Sequence, residues 1–141
     1  MEIVCPHCTA VNRVPADRPA EKARCGACKN ALFNGKPAEA TAQSFATHIR
    51  RDDIPVVVDF WAEWCGPCRA MAPAYERVAG ELEPNVRFLK VDTEAEQQLA
   101  AQYNIRSIPT VMLFKNGQMI AQRAGASDAP SLRAWIEQNA G

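Results

Sequence analysis

The sequence predicts an α/β domain over residues 37–141, built on a central mixed sheet flanked by helices, and a small module over residues 1–36. Strand-like and helical segments alternate twice after residue 37, and a hairpin and a final helix follow them. The first 36 residues are instead rich in Cys, Gly, Pro and basic residues, with little period of either 2 or 3.6. At 141 residues the chain has room for one core-forming domain, and for an appendage too small to bury a core of its own.

The first half of the larger domain predicts a helix, a strand and a second helix. Phe45 and Ile49 are spaced i, i+4, which is typical of a short amphipathic helix over residues 43–51 with His48 on its surface. The run "PVVVDFWA" is β-branched and aromatic, as in a strand buried on both faces. The segment "CGPCRAMAPAYERVAGEL" follows at helical period, and Pro73 is expected to kink this helix because it removes a backbone donor.

The second half predicts a further strand, a helix, a hairpin and a last helix. "VRFLKVD" is suited to a buried strand, and residues 94–103 to a helix. "TVMLFK" and "QMIAQRAG" flank an Asn-Gly pair that favours a type I′ turn and therefore a hairpin. Ser127 or Asp128 can cap the last helix. Its predicted inward residues are Leu132, Trp135 and Ile136.

Charge and hydropathy argue against several classes of protein. The formal net charge is zero, so the chain lacks the electrostatic character of a nucleic-acid or membrane-surface binder. The start "MEIVCPHC" lacks the charged and apolar regions of a signal segment, and Asp59 interrupts the most apolar stretch. No Gly-x-Gly-x-x-Gly or Walker loop is present, so no organic cofactor is expected. These observations predict a cytoplasmic protein without a membrane segment.

Six cysteines occur in three Cys-x-x-Cys pairs. A secreted disulfide framework is one interpretation, with 15 alternative pairings. In the reducing cytoplasm, such pairs are more often metal ligands or redox catalysts.

The first two pairs, Cys5-x-x-Cys8 and Cys25-x-x-Cys28, are separated by 16 residues, a spacing typical of a structural zinc site. They predict one structural Zn²⁺ per chain, whose four thiolates give the site a net charge of −2. Residues 1–36 contain six Lys or Arg against three Asp or Glu, which balance that charge, and His7 is expected on the surface as a non-ligand. Alternatives are a second dithiol relay, or a ribbon that binds nucleic acid; the latter is disfavoured because Phe33 is the sole aromatic residue in this module.

The third pair, Cys65 and Cys68, lies where a predicted strand runs into a helix. A thiol with a pKa of about 8.5 is only roughly 3% thiolate at pH 7, and the positive end of a helix dipole at Cys65 would increase that fraction. Cys68 lies one turn further on, close enough to bridge Cys65. Pro67 presets a helical φ, and Gly66 lets a partner's backbone approach. Two unrelated core cysteines are the structural alternative.

The segments "FWAEWCGPCRAMAP", "VRFLKVD", "IRSIPTVMLFKNG" and "RAGA" resemble thioredoxin over residues 37–141, in the same order and spacing. The first 36 residues, with "CPHC" and "CGAC", resemble the zinc-ribbon-like module of the bacterial thioredoxin 2 type. The resemblance implies the thioredoxin fold and a protein-disulfide reductase, in which Cys65 attacks a client disulfide and Cys68 resolves the mixed disulfide. It also implies re-reduction by thioredoxin reductase. We expect a monomer that binds neither nucleic acid nor membranes.

The resemblance implies supporting roles for Asp59 and Lys90. Asp59 is expected to be a buried base with a raised pKa that deprotonates Cys68, although a satisfied structural Asp is the simpler interpretation. Lys90 is expected to be its charge partner, or a lysine that extends to solvent. Glu63 departs from the Pro or small residue of many relatives, and would oppose thiolate formation at Cys65 or select partners.

The resemblance also implies a client-binding surface beside the disulfide. Only about 5% of X-Pro bonds are cis, but the resemblance implies a cis bond between Ile108 and Pro109. An extended client peptide would pair with the backbone at Ile108. The surrounding surface would consist of Trp64, Gly66, Pro67, Gly125 and Ala126, with Trp61 packed beneath.

The Gly-Pro pair between Cys65 and Cys68 favours a reductant, because it supplies no charged or histidine donor that would overstabilise a thiolate. A disulfide oxidase or isomerase remains an alternative, as does a zinc-dependent, redox-regulated interaction or chaperone module.

Overall fold

The computed structural model describes residues 1–140. The strands are β1 (Glu2–Val4), β2 (Val11–Arg13), β3 (Ala38–Glu39), β4 (Val56–Trp61), β5 (Arg87–Asp92), β6 (Thr110–Lys115) and β7 (Gln118–Ala124). The helices are α1 (Ala42–Arg51), α2 (Gly66–Leu82), α3 (Gln97–Gln102) and α4 (Ala129–Ala140), with a 3-10 turn at Ala20–Lys22. All predicted strands and helices of the larger domain are present in the predicted order, and one further strand, β3, precedes them.

Five strands form the main sheet, in the order β3-β5-β4-β6-β7. The first three strands in this order are parallel, whereas β6 and β7 run antiparallel to their neighbours. Residues of β4 that point to one face pack against α2 and α4, and those that point to the other pack against α1 and α3. The sheet is therefore mixed and covered by helices on both faces, as predicted.

Local capping explains where the helices begin. Asp128 caps α4, since its Oδ1 accepts a 2.9 Å hydrogen bond from the Ser131 amide. The helix predicted over residues 94–103 is shorter than expected because the Asp92 carboxylate accepts hydrogen bonds from the amides of the next turn. Helix α2 continues past Pro73 to Leu82. The hairpin turn has positive φ at Asn116 and Gly117, as a type I′ turn requires.

The N-terminal module has more structure than the sequence predicts. Strands β1 and β2 pair antiparallel, although each has only three residues and therefore shows no measurable period. Ile3, Val14 and Leu32 are buried together with Cys5 and Cys25 of the module and with Ile54 of the larger domain. This small apolar cluster is therefore completed by a residue of the larger domain.

The first residues of the larger domain also contribute to the sheet. Ala38 and Glu39 form β3, whose backbone pairs with Leu89 and Lys90 of β5. A two-residue strand gives no recognisable sequence pattern, so β3 was not predicted.

The expectation for His48 was wrong. Its side chain is buried, and its Nδ1 lies 2.6 Å from Asp52 Oδ2. His48 is three residues after the buried Phe45, and this spacing puts both on the inward face of α1.

Within residues 1–140, the helices are all too short or too polar to cross a bilayer.

Candidate active site and metal site

Cys65 and Cys68 lie where the chain leaves the carboxyl end of β4 and enters α2. They form a disulfide, and their Cα atoms are 5.3 Å apart. Cys65 is the N-cap residue of α2, and its Sγ accepts a 3.2 Å hydrogen bond from the Cys68 amide. The same donor and the helix dipole would stabilise a thiolate on Cys65 after reduction.

The surroundings of the disulfide differ on its two sides. Cys65 and Cys68 are 4% and 3% exposed, and they pack against Ala62, with Trp61 and Ile108 beside them. Gly66 and Pro67, between the cysteines, are exposed. A Cβ added to Gly66 would meet nothing within 4 Å, so its backbone is open to a partner.

Asp59, on β4, has a buried carboxyl group with an unsatisfied oxygen. It is 1% exposed, and no group within residues 1–140 donates a hydrogen bond to its Oδ1. Burial raises the pKa of Asp59 to about 7, an effect that Lys90 opposes and Glu39 increases. A group with this pKa can exchange a proton near neutral pH, which is what a general base requires.

Lys90 is the cross-strand neighbour of Asp59, in β5. Its ammonium lies 4.2 Å from the centre of the Trp61 ring, where it makes a cation–π contact. Lys90 therefore acts on Asp59 through space, from a position set by Trp61. Trp61 packs beside the cysteines, as the sequence suggested.

The predicted client surface lies beside Cys65. The Ile108–Pro109 peptide bond is cis, and Cys65 Sγ is 3.7 Å from the Ile108 carbonyl oxygen. A cavity of about 190 Å³ next to it is lined by Trp64 and Ile108 together with the cation Arg106. The structure thus combines a backbone segment and an apolar recess within reach of the sulfur.

Trp64 is the largest exposed apolar side chain of this surface. It is 68% exposed, and its Nε1 donates a 2.8 Å hydrogen bond to Glu94 Oε1. Gly125 has φ +94° and, like Ala126, is exposed, while the buried Pro109 accepts a hydrogen bond from the Gly125 amide. Glu63 is exposed one residue before Trp64.

The four cysteines of the N-terminal module form a second site. Their sulfur atoms lie within 4.8 Å of one another, with 3.6 Å between Cys5 and Cys28 and 3.6 Å between Cys8 and Cys25. Four sulfurs bound tetrahedrally at about 2.3 Å from a metal ion would be about 3.8 Å apart. The donor set and its spacing therefore fit a metal ion.

Two equivalent turns hold these sulfurs. The amides of Thr9 and Lys29 donate to the carbonyls of Cys5 and Cys25, and both donors have positive φ. Backbone amides of the turns also donate to sulfur, and the Cys28 amide is the main reason why the pKa of Cys25 falls to about 6. His7 is exposed between two of the cysteines and is not among the four ligands.

Two residues near the active site were missed by sequence reasoning. Glu94, which accepts the hydrogen bond from Trp64, lies in the turn after β5. Acidic residues are common in turns, so the sequence alone does not indicate its contact with Trp64. Glu39 faces Lys90 from the unpredicted strand β3. Only the strand register brings Glu39 to this position.

The Cys65–Cys68 pair at a helix amino terminus, beside a cis-proline, defines a thiol-disulfide oxidoreductase. The family model described as "Thioredoxin" matches residues 36–138, and the one described as "Thioredoxin 2, N-terminal" matches residues 4–30. The chain belongs to the thioredoxin family and is a protein-disulfide reductase with an N-terminal zinc-ribbon-type module.

Relatives support this assignment over most of the chain. Thioredoxin C-3 of Corynebacterium nephridii is 44% identical over 138 residues, which cover 98% of this chain and 94% of that protein. The thioredoxin of Rickettsia bellii is 43% identical over 102 residues, which cover 72% and 97%. The crystal structure of Malassezia sympodialis thioredoxin aligns with a TM-score of 0.69 at 36% identity, covering 77% of this chain and 95% of the other. As in the thioredoxin family generally, the partners of this chain are disulfide-containing proteins and a reductase.

Proposed function

We propose that Cys65 is the attacking thiol of this reductase, Cys68 the resolving thiol, and Asp59 the base that serves Cys68. The Cys65 thiolate attacks a client disulfide, which forms a mixed disulfide and releases one client thiolate. Cys68 transfers its proton to Asp59 and attacks Cys65 Sγ, which releases the second client thiolate and forms the Cys65–Cys68 disulfide. The client gains the two electrons that the dithiol loses, and NADPH-dependent thioredoxin reductase supplies two electrons to restore the dithiol.

The hydrogen bond from the Cys68 amide to Cys65 Sγ carries this assignment. It stabilises negative charge on Cys65 only, because Cys68 lies inside the first turn and has no comparable donor among the described residues. Attack by Cys68 accordingly needs a base. Asp59 is suited to this role because its pKa of about 7 lets it take a proton at physiological pH and release it afterwards.

We also propose that an extended segment of the client pairs with the backbone at Ile108, opposite the cis-proline. Trp64 and the recess beside it would then receive a client side chain. The open backbone at Gly66 and Gly125 leaves room for the client main chain on either side.

For the N-terminal site we propose a structural Zn²⁺, held by Cys5, Cys8, Cys25 and Cys28. Four thiolates and no open position favour zinc in a structural role, in which the ion links the two turns. Because these thiols and the catalytic pair must be reduced to work, we infer that the protein acts in the cytoplasm. We also propose that it acts as a monomer, since the residues of both sites come from one chain.

The test is reduction of insulin by the full-length, zinc-loaded protein with thioredoxin reductase and NADPH. We expect NADPH oxidation coupled to insulin reduction, at a rate that is lost in Cys65→Ser. Faster rearrangement of a scrambled disulfide protein than reduction of insulin would instead identify an isomerase. Metal analysis of the freshly purified, reduced protein should give one zinc per chain, and any other stoichiometric metal would contradict the zinc assignment.

A further inference from the structure

Three charged side chains lie in one row across the sheet. Asp59 of β4 is the register partner of Lys90 of β5, and Lys90 is the register partner of Glu39 of β3. Paired residues on neighbouring strands point to the same face of a sheet, about 4.8 Å apart. The row therefore runs from a buried carboxyl group, through an ammonium, to an exposed carboxylate on the edge strand.

Lys90 acts on both carboxyl groups of the row. Its ammonium is held over the Trp61 ring, and it lowers the pKa of Asp59 and the pKa of Glu39. If Lys90 faced Asp59 alone, its charge would stabilise the Asp59 carboxylate and make that carboxylate a weaker base. A second carboxylate on the far side of Lys90 opposes this effect.

Few other ionisable groups face the row. On the Asp59 side, α2 contributes the Tyr75 hydroxyl, which is neutral because burial raises its pKa well above the ordinary value. Tyr75 instead donates to the carbonyl oxygens of Val57 and Leu89. On the Glu39 side, the pKa of Glu39 is raised. Partial burial is the main cause of this rise, and the negative charges of Asp92 and Glu63 add to it. His7 and Lys36 line a cavity of about 310 Å³ together with Glu39.

We propose that Glu39 is a positioning residue for the proton-transfer step: its carboxylate partly offsets the positive charge of Lys90 through space and thereby keeps Asp59 basic enough to accept the Cys68 proton. This inference rests on the proposed role of Asp59. Two strand spacings separate Glu39 from Asp59, so removal of its charge should lower the apparent pKa of Asp59 by about 0.3 to 1. Because Glu39 is exposed, the effect should shrink as salt is added.

The experiment compares wild-type protein with Glu39→Gln, both full-length, reduced and zinc-loaded. The Asp59 carboxyl carbon is followed by ¹³C NMR from pH 5 to 9, and single-turnover resolution of a mixed disulfide is measured over the same range. We expect the Asp59 titration midpoint to fall by about 0.3 to 1 in Glu39→Gln, and the pH profile of resolution to move with it. In 0.5 M salt the difference should be smaller.

Two control variants separate charge from structure. Glu76→Gln removes the same charge from an exposed position on α2, and should leave the Asp59 midpoint unchanged. Glu39→Asp keeps the charge and should retain most of the wild-type midpoint, whereas a purely structural role would make both Glu39 variants behave alike.

An unchanged Asp59 midpoint in Glu39→Gln would overturn the proposal. So would a shifted midpoint with an unchanged pH profile of resolution, because Glu39 would then not act on proton transfer. Asp59→Asn distinguishes this failure from failure of the proposed function: if that variant resolves mixed disulfides at the wild-type rate, Asp59 is not the base.

Discussion

The guanidinium of Arg87 donates a 3.0 Å hydrogen bond to the carbonyl oxygen of Val4, across the boundary between the thioredoxin domain and the N-terminal module. Arg87 is 1% exposed and lies 4.3 Å from the centre of the Phe33 ring. Asp52 accepts a 2.7 Å hydrogen bond from the Val4 amide, and its other oxygen lies 3.8 Å from Arg87 Nε. The module is thus docked through buried charges whose partners come from both sides.

Replacing Arg87 should destabilise the whole protein. In Arg87→Met, the buried Asp52 carboxylate loses the guanidinium, and loss of one partner of a buried ion pair costs about 3–5 kcal/mol. Urea unfolding at pH 7 measures this loss. The control is Arg133→Met, which removes an exposed arginine paired with Glu81 and should leave the unfolding midpoint almost unchanged. Equal midpoints for the two variants would contradict the prediction.

The sequence predicted the elements that have a clear period and missed those that depend on tertiary pairing. The apolar run of β4 and the helical period of α2 extend over 6 and 17 residues, enough to show a pattern. Strand β3 has two residues, and it exists because it pairs with β5. His48 could have been predicted, since its spacing from Phe45 puts it on the buried face of α1.

The functional residues likewise divide into those that a local sequence pattern predicts and those that only the fold brings together. Cys65, Cys68 and the four cysteines of the module are predictable because their chemistry depends on spacing along the chain. The position of Glu39 beside Lys90 depends on the register between two strands whose paired residues are 51 positions apart in sequence, and nothing local to Glu39 indicates it. The hydrogen bond between Glu94 and Trp64 likewise joins residues that only the fold brings together.

Serine variants should separate the roles of the two active-site cysteines. Cys65→Ser should abolish disulfide reduction, because a hydroxyl does not form the stabilised anion that the Cys68 amide supports. Cys68→Ser should retain attack but not resolution, and should accumulate a mixed disulfide with insulin through Cys65. Mass spectrometry of the trapped complex identifies the linked residue. A trap formed by Cys65→Ser through Cys68 would reverse the assignment.

Asp59→Asn should raise stability at alkaline pH. Burial raises the folded-state pKa of Asp59 to about 7, above its ordinary value of 3.8, so the folded protein binds this proton more tightly than the unfolded chain. The free energy of unfolding therefore falls as pH rises from about 4 to 7. Asparagine does not ionise, so at pH 8 the variant should be more stable by an amount on the order of 4 kcal/mol.

Urea unfolding of Asp59→Asn and wild type at pH 4, 6 and 8 checks this prediction. Glu83, whose pKa burial also raises to about 7, is present in both proteins, so its contribution cancels in the comparison. A stability difference that stays constant across this range would show that ionisation of Asp59 is not its cause. Slower resolution by the variant at pH 7 is expected in the same samples.

Trp64→Ala should weaken client binding. Trp64 is the most exposed large apolar side chain near the disulfide, and truncating a central aromatic contact typically costs more than 1 kcal/mol, or roughly tenfold in kcat/KM. Steady-state reduction of insulin measures the change. Met119→Ala is the control, because Met119 is 42% exposed near the other end of β7. A similar loss in both variants would contradict a specific role for Trp64.

Removal of the metal should unfold the N-terminal module and weaken the thioredoxin domain without abolishing its activity. The small apolar cluster of the module does not offset its chain entropy, so its order should depend on the metal. Its contacts with Asp52, Ile54 and Arg87 lie at the amino ends of β4 and β5. The disulfide follows the carboxyl end of β4. The six residues of this strand separate it from those contacts by about 20 Å.

Chelation of the reduced protein, followed by heteronuclear NMR, tests this separation. Resonances of residues 1–36 should collapse to unfolded positions, while those of the sheet remain dispersed, and Tm should fall because Arg87 loses its Val4 and Phe33 contacts. Insulin reduction should stay within about twofold of the zinc-loaded rate, since the Cys65–Cys68 surroundings contain no residue of the module. Collapse of the whole spectrum would show that the domain does not fold without the module. A dispersed module after complete zinc removal would show instead that its apolar cluster is sufficient to hold it.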